Sequence, residues 1–533
     1  MKTGRNQPCP CRSGQKYKRC CGRIRPAAIR ARPDVAWAAR LREVAEQIRR
    51  QQQGLGRPII SATVADHRIV IAGDEMHWSK QWKTFPDFLM HYLKTKLGIE
   101  WGKAEEAKPY EQQHPILQWL RCLSDYLQRL GDRQGEIRGA TGIGVVWCIL
   151  GLAYNLYLIK HNVELQDRLL VRLRDPQQFQ GAYYELIVAN LLIRAGFDLE
   201  LEDEQDNNVG HCEFAARHRD TGRLFSVEAK TRSVAGIFGK SAWDGGKDND
   251  PTRKVTDHLR EALKKPAAGE RLVFIDINAE GIREAGEPAW GSRVYEKLLK
   301  SEQSRAGGPT AYVFVTNMNY HRHLDDERAD GAALAFGYGI ADFGKNDQIS
   351  LPEAYRRKQK YKVAYDILDR VASYTKLPMT FDGSLLSENP ATESRRIIVG
   401  ERYIFDDPIG VAEVTSATAI IAERKKYVGV STPDNKAFIL CDDMSDAEID
   451  DYSRHGDAIF GELRNTTDRV NSAFEAFEWL MGIYAEYTEA HLLKQIEGAP
   501  DIEAFKALPR DELMLAVAER VASAMARNFK KEA

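Results

Sequence analysis

From residue 174 onward, apolar positions switch between helical and strand spacing, and this pattern predicts a mixed α/β domain over residues 174–343. The first predicted element is a helix over residues 179–195, which Gly196 ends. The elements predicted after it are strands 198–202, 210–217 and 224–231, a helix 253–265, and strands 271–278 and 311–316. Such an alternation of helices and strands is typical of a sheet that is covered by helices.

The remaining stretches predict a multidomain α/β chain. A helical region is expected over residues 26–173, a basic helix with a small β-rich domain over 351–460, and helices over 461–533. The elements predicted in these regions are an extended piece at 59–71, helices at 85–97, 114–130, 352–374, 470–496 and 502–528, and short strands at 396–399, 411–414, 419–422, 427–430 and 437–440.

An apolar stretch over residues 143–159 approaches the length of a membrane-spanning helix. It contains Gly151, Asn155 and two tyrosines, and an amphipathic pattern continues it, so we expect a buried helix of a soluble domain, with a membrane helix as the alternative. The N-terminus is polar and basic, which predicts no signal peptide. Together with few scattered cysteines, this predicts a cytoplasmic protein.

The composition suits ordinary folded domains, because 43% of the 533 residues are hydrophobic. A formal net charge of −1 excludes a general electrostatic attraction to nucleic acid. Residues 1–50, however, hold fourteen Lys and Arg against three Asp and Glu. This basic arm suits a phosphate backbone, an acidic partner or a solvated helix, and the sequence leaves these alternatives and the oligomeric state open.

The most informative stretch for chemistry is a predicted hairpin over residues 212–231, with a tight turn at Asp220-Thr221-Gly222-Arg223. If Thr221-Gly222 is a two-residue loop, Glu213 lies opposite Lys230. Strand alternation then gathers Glu213, Glu228 and Lys230 on one face and leaves the other face apolar. A slip by one residue would separate the charged side chains from one another.

Two neighbouring carboxylates repel each other, and a divalent cation relieves that repulsion. A cation held by Glu213 and Glu228 can polarise a phosphodiester, and Lys230 can steady the attacking water or the developing charge. Glu185 is a third acid, on the apolar stripe of the preceding helix, where a carboxylate needs a metal or Lys230 as its partner. The alternative is a surface cross-strand ion pair without catalytic function.

These residues resemble the PD-(D/E)xK, or restriction-endonuclease-like, superfamily over about residues 174–316. The family pattern is a helix with an acid, a strand with an Asp, a strand with Glu-x-Lys, a helix and a further strand. The resemblance implies catalytic roles for Glu185, Glu213, Glu228 and Lys230, with Mg²⁺ or Mn²⁺ at Glu213 and Glu228. It implies a nuclease acting on DNA more readily than on RNA; Glu213 stands where the family more often has Asp.

A second motif lies at the N-terminus, where Cys9 and Cys11 are followed by Cys20 and Cys21. Four thiolates in such a short segment suit tetrahedral zinc, which would supply the stability that a core of this size lacks. The alternative is a disulfide pair or chance clustering. Residues 4–22 resemble the SEC-C motif, departing from it at Arg12, where Gly is usual.

Two functions follow as expectations. The first is a metal-dependent nuclease in which the zinc segment is structural and docks a protein partner or nucleic acid. The second is a non-catalytic SEC-C adaptor whose nuclease-like fold only binds. Cleavage of nucleic acid that depends on Lys230 distinguishes them.

Overall fold

The computed structural model confirms a mixed α/β protein. It describes residues 6–8, 16, 25–26, 46, 49–131, 142–163, 167–201, 213–234, 250–280, 283–284, 287–305, 307–327, 331–345, 349–381, 396–434, 436–460 and 472–529. The chain forms two compact units. The larger contains Met1–Ile340 and Asp366–Leu463, and the smaller contains Ala341–Tyr365 and Arg464–Ala533. The domain boundaries expected from the sequence stay predictions.

A six-stranded sheet forms the centre of the α/β region. The elements of this region are α6 (Phe179–Arg194), β5 (Phe197–Leu201), β6 (Phe214–His218), β7 (Leu224–Thr231), α7 (Val255–Lys264), β8 (Glu270–Asp276), the short pair β9 (Arg283–Glu284) and β10 (Glu287–Pro288), α8 (Gly291–Gln303), β11 (Ala311–Met318) and β12 (Gly331–Tyr338). The strand order in the sheet is β12-β11-β8-β7-β6-β5.

The sheet combines an antiparallel and a parallel half. Strands β5, β6 and β7 form an antiparallel meander. The chain then crosses over through α7, and β7, β8 and β11 run parallel to one another. Every residue of β11 is buried, as expected for a central strand that is covered on both faces.

Helices cover the two faces of this sheet. The charged positions Glu228 and Lys230 stand beside Val273 and Ile275 of β8, and these two residues pack in the core cluster of α7 and α8. The opposite face contacts α6, where the Tyr184 hydroxyl lies 2.7 Å from Thr316 Oγ1. Glu228 and α6 are therefore on opposite sides of the sheet.

Within the described residues, the region before the sheet contains helical residues at 46 and 49–53, a second, three-stranded sheet and five further α-helices. Its elements are β2 (Ile60–Val64), β3 (His67–Ala72), β4 (Glu75–Ser79), α1 (Phe85–Leu97), α2 (Ile99–Glu106), α3 (Pro115–Arg129), α4 (Gly144–Asn162) and α5 (Asp167–Arg174). The sequence pattern predicted one extended piece at 59–71, but the chain turns within it, with Ala65 and Asp66 at φ values of 47° and 63°. Because Ala rarely adopts a positive φ, the sequence carries no clear signal for this turn.

Helix α4 is long and apolar enough to cross a membrane, but 78% of its most apolar 18-residue stretch is buried inside the protein. Its Asn155 donates a hydrogen bond to the Tyr374 hydroxyl at 3.0 Å and accepts one from Asn190 at 2.7 Å. Buried polar contacts of this kind belong to a core helix that packs against protein.

The β-rich region forms a five-stranded antiparallel sheet in the order β1-β13-β14-β15-β16. The strands are β1 (Arg25–Pro26), β13 (Arg402–Ile404), β14 (Val411–Ile420), β15 (Lys425–Ser431) and β16 (Ala437–Asp443). The residues predicted as a strand at 396–399 do not form one, and the strand predicted at 411–414 lies within β14. Of the strand predicted at 419–422, only the first two residues belong to β14, because a 3-10 turn begins at Ile421. A two-residue strand from the N-terminal part of the chain thus completes this sheet.

The helices outside these sheets are α9 (Leu351–Lys360), α10 (Lys362–Ala372), α11 (Asp446–His455), α12 (Ala473–Tyr484), α13 (Glu489–Lys494), α14 (Ile502–Lys506) and α15 (Arg510–Phe529). The basic helix predicted at 352–374 is interrupted at Tyr361, whose backbone leaves the helical conformation. In the smaller unit, the core forms mainly between α12 and α15, around buried residues such as Phe477 and Val517.

Candidate functional site

The hairpin register differs from the predicted one by two residues. The pairs are Phe214 with Val227 and Ala216 with Phe225. If this register is extended by one residue, Glu213 lies opposite Glu228 and not opposite Lys230. The loop is longer than two residues, because the His218 N–H donates to the Arg223 carbonyl and the Gly222 N–H donates to the His218 carbonyl. Gly222 closes this loop with a φ of 67°.

A shift by two residues preserves which side chains share a face, because side chains alternate with a period of two. Phe214, Ala216, Phe225 and Val227 are all buried on the apolar face, as the sequence predicted. The charged side chains remain together on the other face. The predicted register was therefore wrong, but Glu213, Glu228 and Lys230 still lie on one face of the hairpin, as predicted.

A compact charge cluster forms around Glu228, which is only 2% exposed. Its Oε1 lies 2.7 Å from the ammonium of Lys265, just beyond α7, and its Oε2 lies 3.0 Å from the ammonium of Lys230. The Lys230 ammonium also lies 3.3 Å from Glu213 Oε1. One buried and one half-buried carboxylate therefore share a site with two lysines, and each carboxylate has a cationic partner.

Lys230 stays protonated in this setting. Burial by itself lowers the pKa of the lysine, but the charges of Glu228 and Glu213 outweigh the burial and raise the pKa above its usual value. Near neutral pH the ammonium therefore carries a positive charge and donates hydrogen bonds, and it cannot accept a proton from water.

Glu185 does not join this cluster. Its carboxylate binds both terminal guanidinium nitrogens of Arg172, at 2.5 and 2.7 Å, across the contact between α6 and α5. This buried acid does have a charged partner, as expected from the sequence, but the partner is Arg172 and not a metal or Lys230. Glu185 cannot reach Lys230, because α6 packs on the face of the sheet opposite to Glu228.

The residues present fit a divalent cation only in part. No group of three or more His, Cys, Asp or Glu side chains among the described residues is arranged to hold a metal ion. Two carboxylates, Glu213 and Glu228, remain within reach of the same lysine. Mg²⁺ is often held by one or two carboxylates together with water and substrate phosphates, so this pair is sufficient only if the substrate completes the ligand set.

His258 belongs to the surroundings of this cluster, and the sequence analysis missed it. It lies on the buried stripe of α7 with Val255 and Leu259, and its Nε2 is buried with no hydrogen-bond partner in the described part of the chain. Burial lowers its pKa, and the charges of Lys254 and Lys230 lower it further against the opposing charge of Glu261. The imidazole is therefore neutral near neutral pH and lies close enough to Lys230 for the charge of that lysine to affect it. Its position on an apolar helical stripe is the signal that sequence reasoning had available.

The four cysteines of the predicted zinc site, Cys9, Cys11, Cys20 and Cys21, lie outside the described residues. Next to them, Pro8 and Lys16 form an antiparallel β-bridge. Further along, Arg25 and Pro26 pair with Ile404 and Tyr403 of the β-rich sheet.

Comparison with known proteins confirms the N-terminal motif. The family model of the SEC-C motif matches residues 5–23. The protein translocase subunit SecA of Dichelobacter nodosus (strain VCS1703A) is 74% identical over 23 residues, which are 4% of this chain and 2% of that protein. A UPF0225 protein of Pectobacterium carotovorum subsp. carotovorum (strain PC1) is 73% identical over 22 residues, 4% of this chain and 14% of that protein. The chain thus spans only a small part of these relatives, and no solved structure matches it.

Proposed function

We propose that this chain is a Mg²⁺- or Mn²⁺-dependent nuclease that hydrolyses phosphodiester bonds at Glu213, Glu228 and Lys230. The observation that carries the proposal is the convergence of these three side chains on one face of β6 and β7, with one ammonium within 3.3 Å of both carboxylates. Carboxylates that hold a metal ion, together with an ammonium that stabilises the developing negative charge, can catalyse phosphodiester hydrolysis.

The order of elements supports the same proposal. A helix, an antiparallel meander of three strands, a crossover helix and a parallel strand follow one another as α6, β5 to β7, α7 and β8. This is the order that the resemblance to the restriction-endonuclease-like superfamily implies. The charged cluster lies in the part of the meander where that family places its Glu-x-Lys residues.

Each residue has a role that its surroundings suggest. A divalent cation between Glu213 and Glu228 would lower the pKa of a bound water and polarise the phosphodiester. Lys230, which stays protonated, would donate to the negatively charged oxygens of the scissile phosphate. His258, whose pKa is lowered, would accept a proton from water. Lys265 would release Glu228 and contact a backbone phosphate.

A specific observation favours a second candidate, the SEC-C adaptor. Both oxygens of Glu228 already contact lysines, so the cluster is electrically satisfied without any metal. The SEC-C match adds a segment that is expected to bind zinc and a partner. In this case the charged face holds the fold together and does no chemistry.

The test is cleavage of plasmid, linear duplex, single-stranded DNA and RNA with Mg²⁺ or Mn²⁺. Lys230→Ala is expected to reduce cleavage by about a hundredfold or more, because it removes a charge that stabilises the transition state. The control is Lys297→Ala, which breaks a short but more exposed ion pair with Asp250 at 2.6 Å without touching Glu228. Absence of cleavage on every substrate, or equal activity of Lys230→Ala and the control, contradicts the nuclease and favours the adaptor.

A further inference from the structure

The small sheet of β2, β3 and β4 has an apolar outer face that is exposed to solvent. The strand register aligns two cross-strand rows on this face, Ile60–Ile71–Met76 and Ala62–Ile69–Trp78. Paired residues and residues two apart share a face, so both rows point to the same side of the sheet. Ile60, Met76, Trp78 and, at the end of β2, Val64 are 54–58% exposed.

The inner face of the same sheet is covered by the rest of the fold. Val70 and Ala72 are fully buried, and the Arg68 guanidinium lies over the Phe381 ring, 4.5 Å from its centroid. The Ser61 hydroxyl donates a hydrogen bond to the Phe381 carbonyl at 3.0 Å. The larger unit therefore builds its own core on the inner face only. A contiguous apolar patch on the other side is the type of surface that marks an interaction site.

We infer that this outer face is the interface of a homodimer, with a two-fold axis that runs along β3 between the two packed faces. Two sheets pack face to face about 10 Å apart with their strands nearly aligned. An axis along β3 exchanges the edge strands, so β4 of one copy lies over β2 of the other. Contacts of this kind are isologous and close after two copies.

The side chains of the two rows fit this arrangement. Trp78 is the largest residue of its row, and the axis places it over the partner's Ala62, the smallest. In the other row, Met76 lies over the partner's Ile60, and the central Ile69 and Ile71 meet their own counterparts. Because each row is graded in size across the sheet, two identical faces can interlock when one is reversed.

Charges at one end of the face agree with the same axis. If the register of β3 and β4 is extended by one residue, Lys80 lies opposite His67, beside the turn that contains Asp66. The axis therefore brings Lys80 over the end of the partner's β2, next to the partner's Asp66. Both side chains are exposed, and neither has an ion pair within the described residues. The dimer supplies each with an opposite charge, and it does so twice.

The acids at the ends of the face argue against a lipid surface as its occupant. Asp66 and Asp74 lie in the two turns of the sheet and are exposed. An anionic membrane attracts apolar surfaces that are bordered by Lys and Arg, and it repels carboxylates at such positions. Neutral apolar rows with one charge of each sign suit a second copy of the same face.

The size of the face sets the expected affinity. Its exposed apolar surface is on the order of 500 Å². Two copies would bury about 1,000 Å² together, which is the lower end for a specific interface. We therefore expect a reversible dimer with a Kd on the order of micromolar. The inference does not use the charge cluster at Glu228, so it is independent of the proposed nuclease.

Sedimentation equilibrium of the full-length wild type from about 1 to about 100 µM tests the inference. The average mass is expected to rise from one chain to two and to stop there. Trp78→Arg should weaken the dimer at least about a hundredfold, because it removes the largest apolar contact and buries two unpaired charges. The matched control is Ile439→Arg on β16, where the apolar side chain is 80% exposed on a different sheet, and it should associate as the wild type does. Circular dichroism verifies that both variants are folded.

A second set of variants tests the position of the axis. Lys80→Glu is expected to weaken the dimer about tenfold, because it places two carboxylates together at both ends of the interface. Adding Asp66→Asn should restore part of this loss, and Asn tolerates the φ of 63° at that residue. A wild type that stays monomeric over the whole range, or Trp78→Arg that associates as the wild type does, overturns the inference. Equal association of Lys80→Glu and the wild type overturns the axis along β3.

Discussion

Replacing Glu228 by Gln should destabilise the larger unit far more than a comparable change at the surface. Glu228 is 2% exposed and its two oxygens contact Lys265 at 2.7 Å and Lys230 at 3.0 Å. Each such contact contributes about 6 kcal/mol of Coulomb energy at an effective dielectric constant of about 20. Desolvation of the charged groups offsets much of this. Loss of one partner from a buried pair costs about 3 kcal/mol of net stability.

Urea unfolding followed by circular dichroism measures this difference. The matched control is Glu270→Gln in β8, which removes the partner of Arg223 at 2.5 Å, where the two side chains are 42% and 32% exposed. An exposed pair of this kind contributes less than about 1 kcal/mol. If Glu228→Gln costs no more than this control, the charges around Glu228 are solvated, and the account of a buried cluster is wrong.

A second measurement separates the charge effect from packing. The quadruple variant Glu213→Leu, Glu228→Leu, Lys230→Met, Lys265→Met replaces all four charges of the cluster by apolar groups of similar size. Its stability is expected to recover most of what Glu228→Gln loses, because no unpaired charge stays buried. A quadruple variant that is less stable than Glu228→Gln would show that shape, and not charge, dominates at this position.

Three further predictions follow from the same structure. Glu185→Gln should lower the free energy of unfolding by about 2 kcal/mol, because it weakens the two-point contact with Arg172, and it should leave nuclease activity and Mn²⁺ binding, measured by titration, unchanged. A loss of Mn²⁺ binding would show that Glu185 is a metal ligand. Asp276→Asn should gain stability relative to the wild type by up to about 3 kcal/mol as pH rises from about 4 to about 6, because burial raises the folded-state pKa of Asp276 to about 6 and the cost of ionising the carboxylate develops between its unfolded and its folded pKa. Above about pH 6 the difference stays constant, and parallel pH profiles of the two proteins over the whole range would contradict this. Cys20→Ser with Cys21→Ser should lose about one equivalent of zinc per chain in metal analysis and leave the circular dichroism of the rest unchanged; equal zinc content in variant and wild type would exclude these cysteines as ligands.

The elements around the charge cluster were largely predictable because their signals are local. The strand predicted at 224–231 has those bounds, and α6 and α7 differ from their predicted bounds by no more than two residues at either end. The turn was less predictable, since a tight-turn sequence does not specify how many residues the loop contains. The first strand of the hairpin begins at Phe214, four residues later than predicted, and this agrees with the shifted register.

The difference between the predicted and the observed hairpin register left the predicted charge cluster intact, because it is an even number of residues. A hairpin loop that is two residues longer moves every cross-strand pair but keeps each side chain on its face. Lys230 reaches Glu213 along the diagonal of the shifted pairing, at 3.3 Å, because its side chain is long. An odd shift would have put Glu213 among Phe225 and Val227 and removed the candidate site. The parity of the pattern, and not the exact pairing, therefore carried the functional prediction.

The partner of each buried charge could not be read from the sequence in the same way, since it depends on which helix covers which face. Glu185 has the spacing of a residue that points towards the sheet region, yet α6 covers the face opposite to Glu228, and Arg172 of α5 is nearer. On the charged face, α7 supplies what α6 does not: Lys265 follows its last turn and His258 lies on its inner stripe. The acid expected from the helix before the sheet is thus replaced by a lysine and an imidazole from the helix after it. A catalytic role for the cluster accordingly rests on α7, and His258→Ala is a more direct test of the chemistry than any change at Glu185.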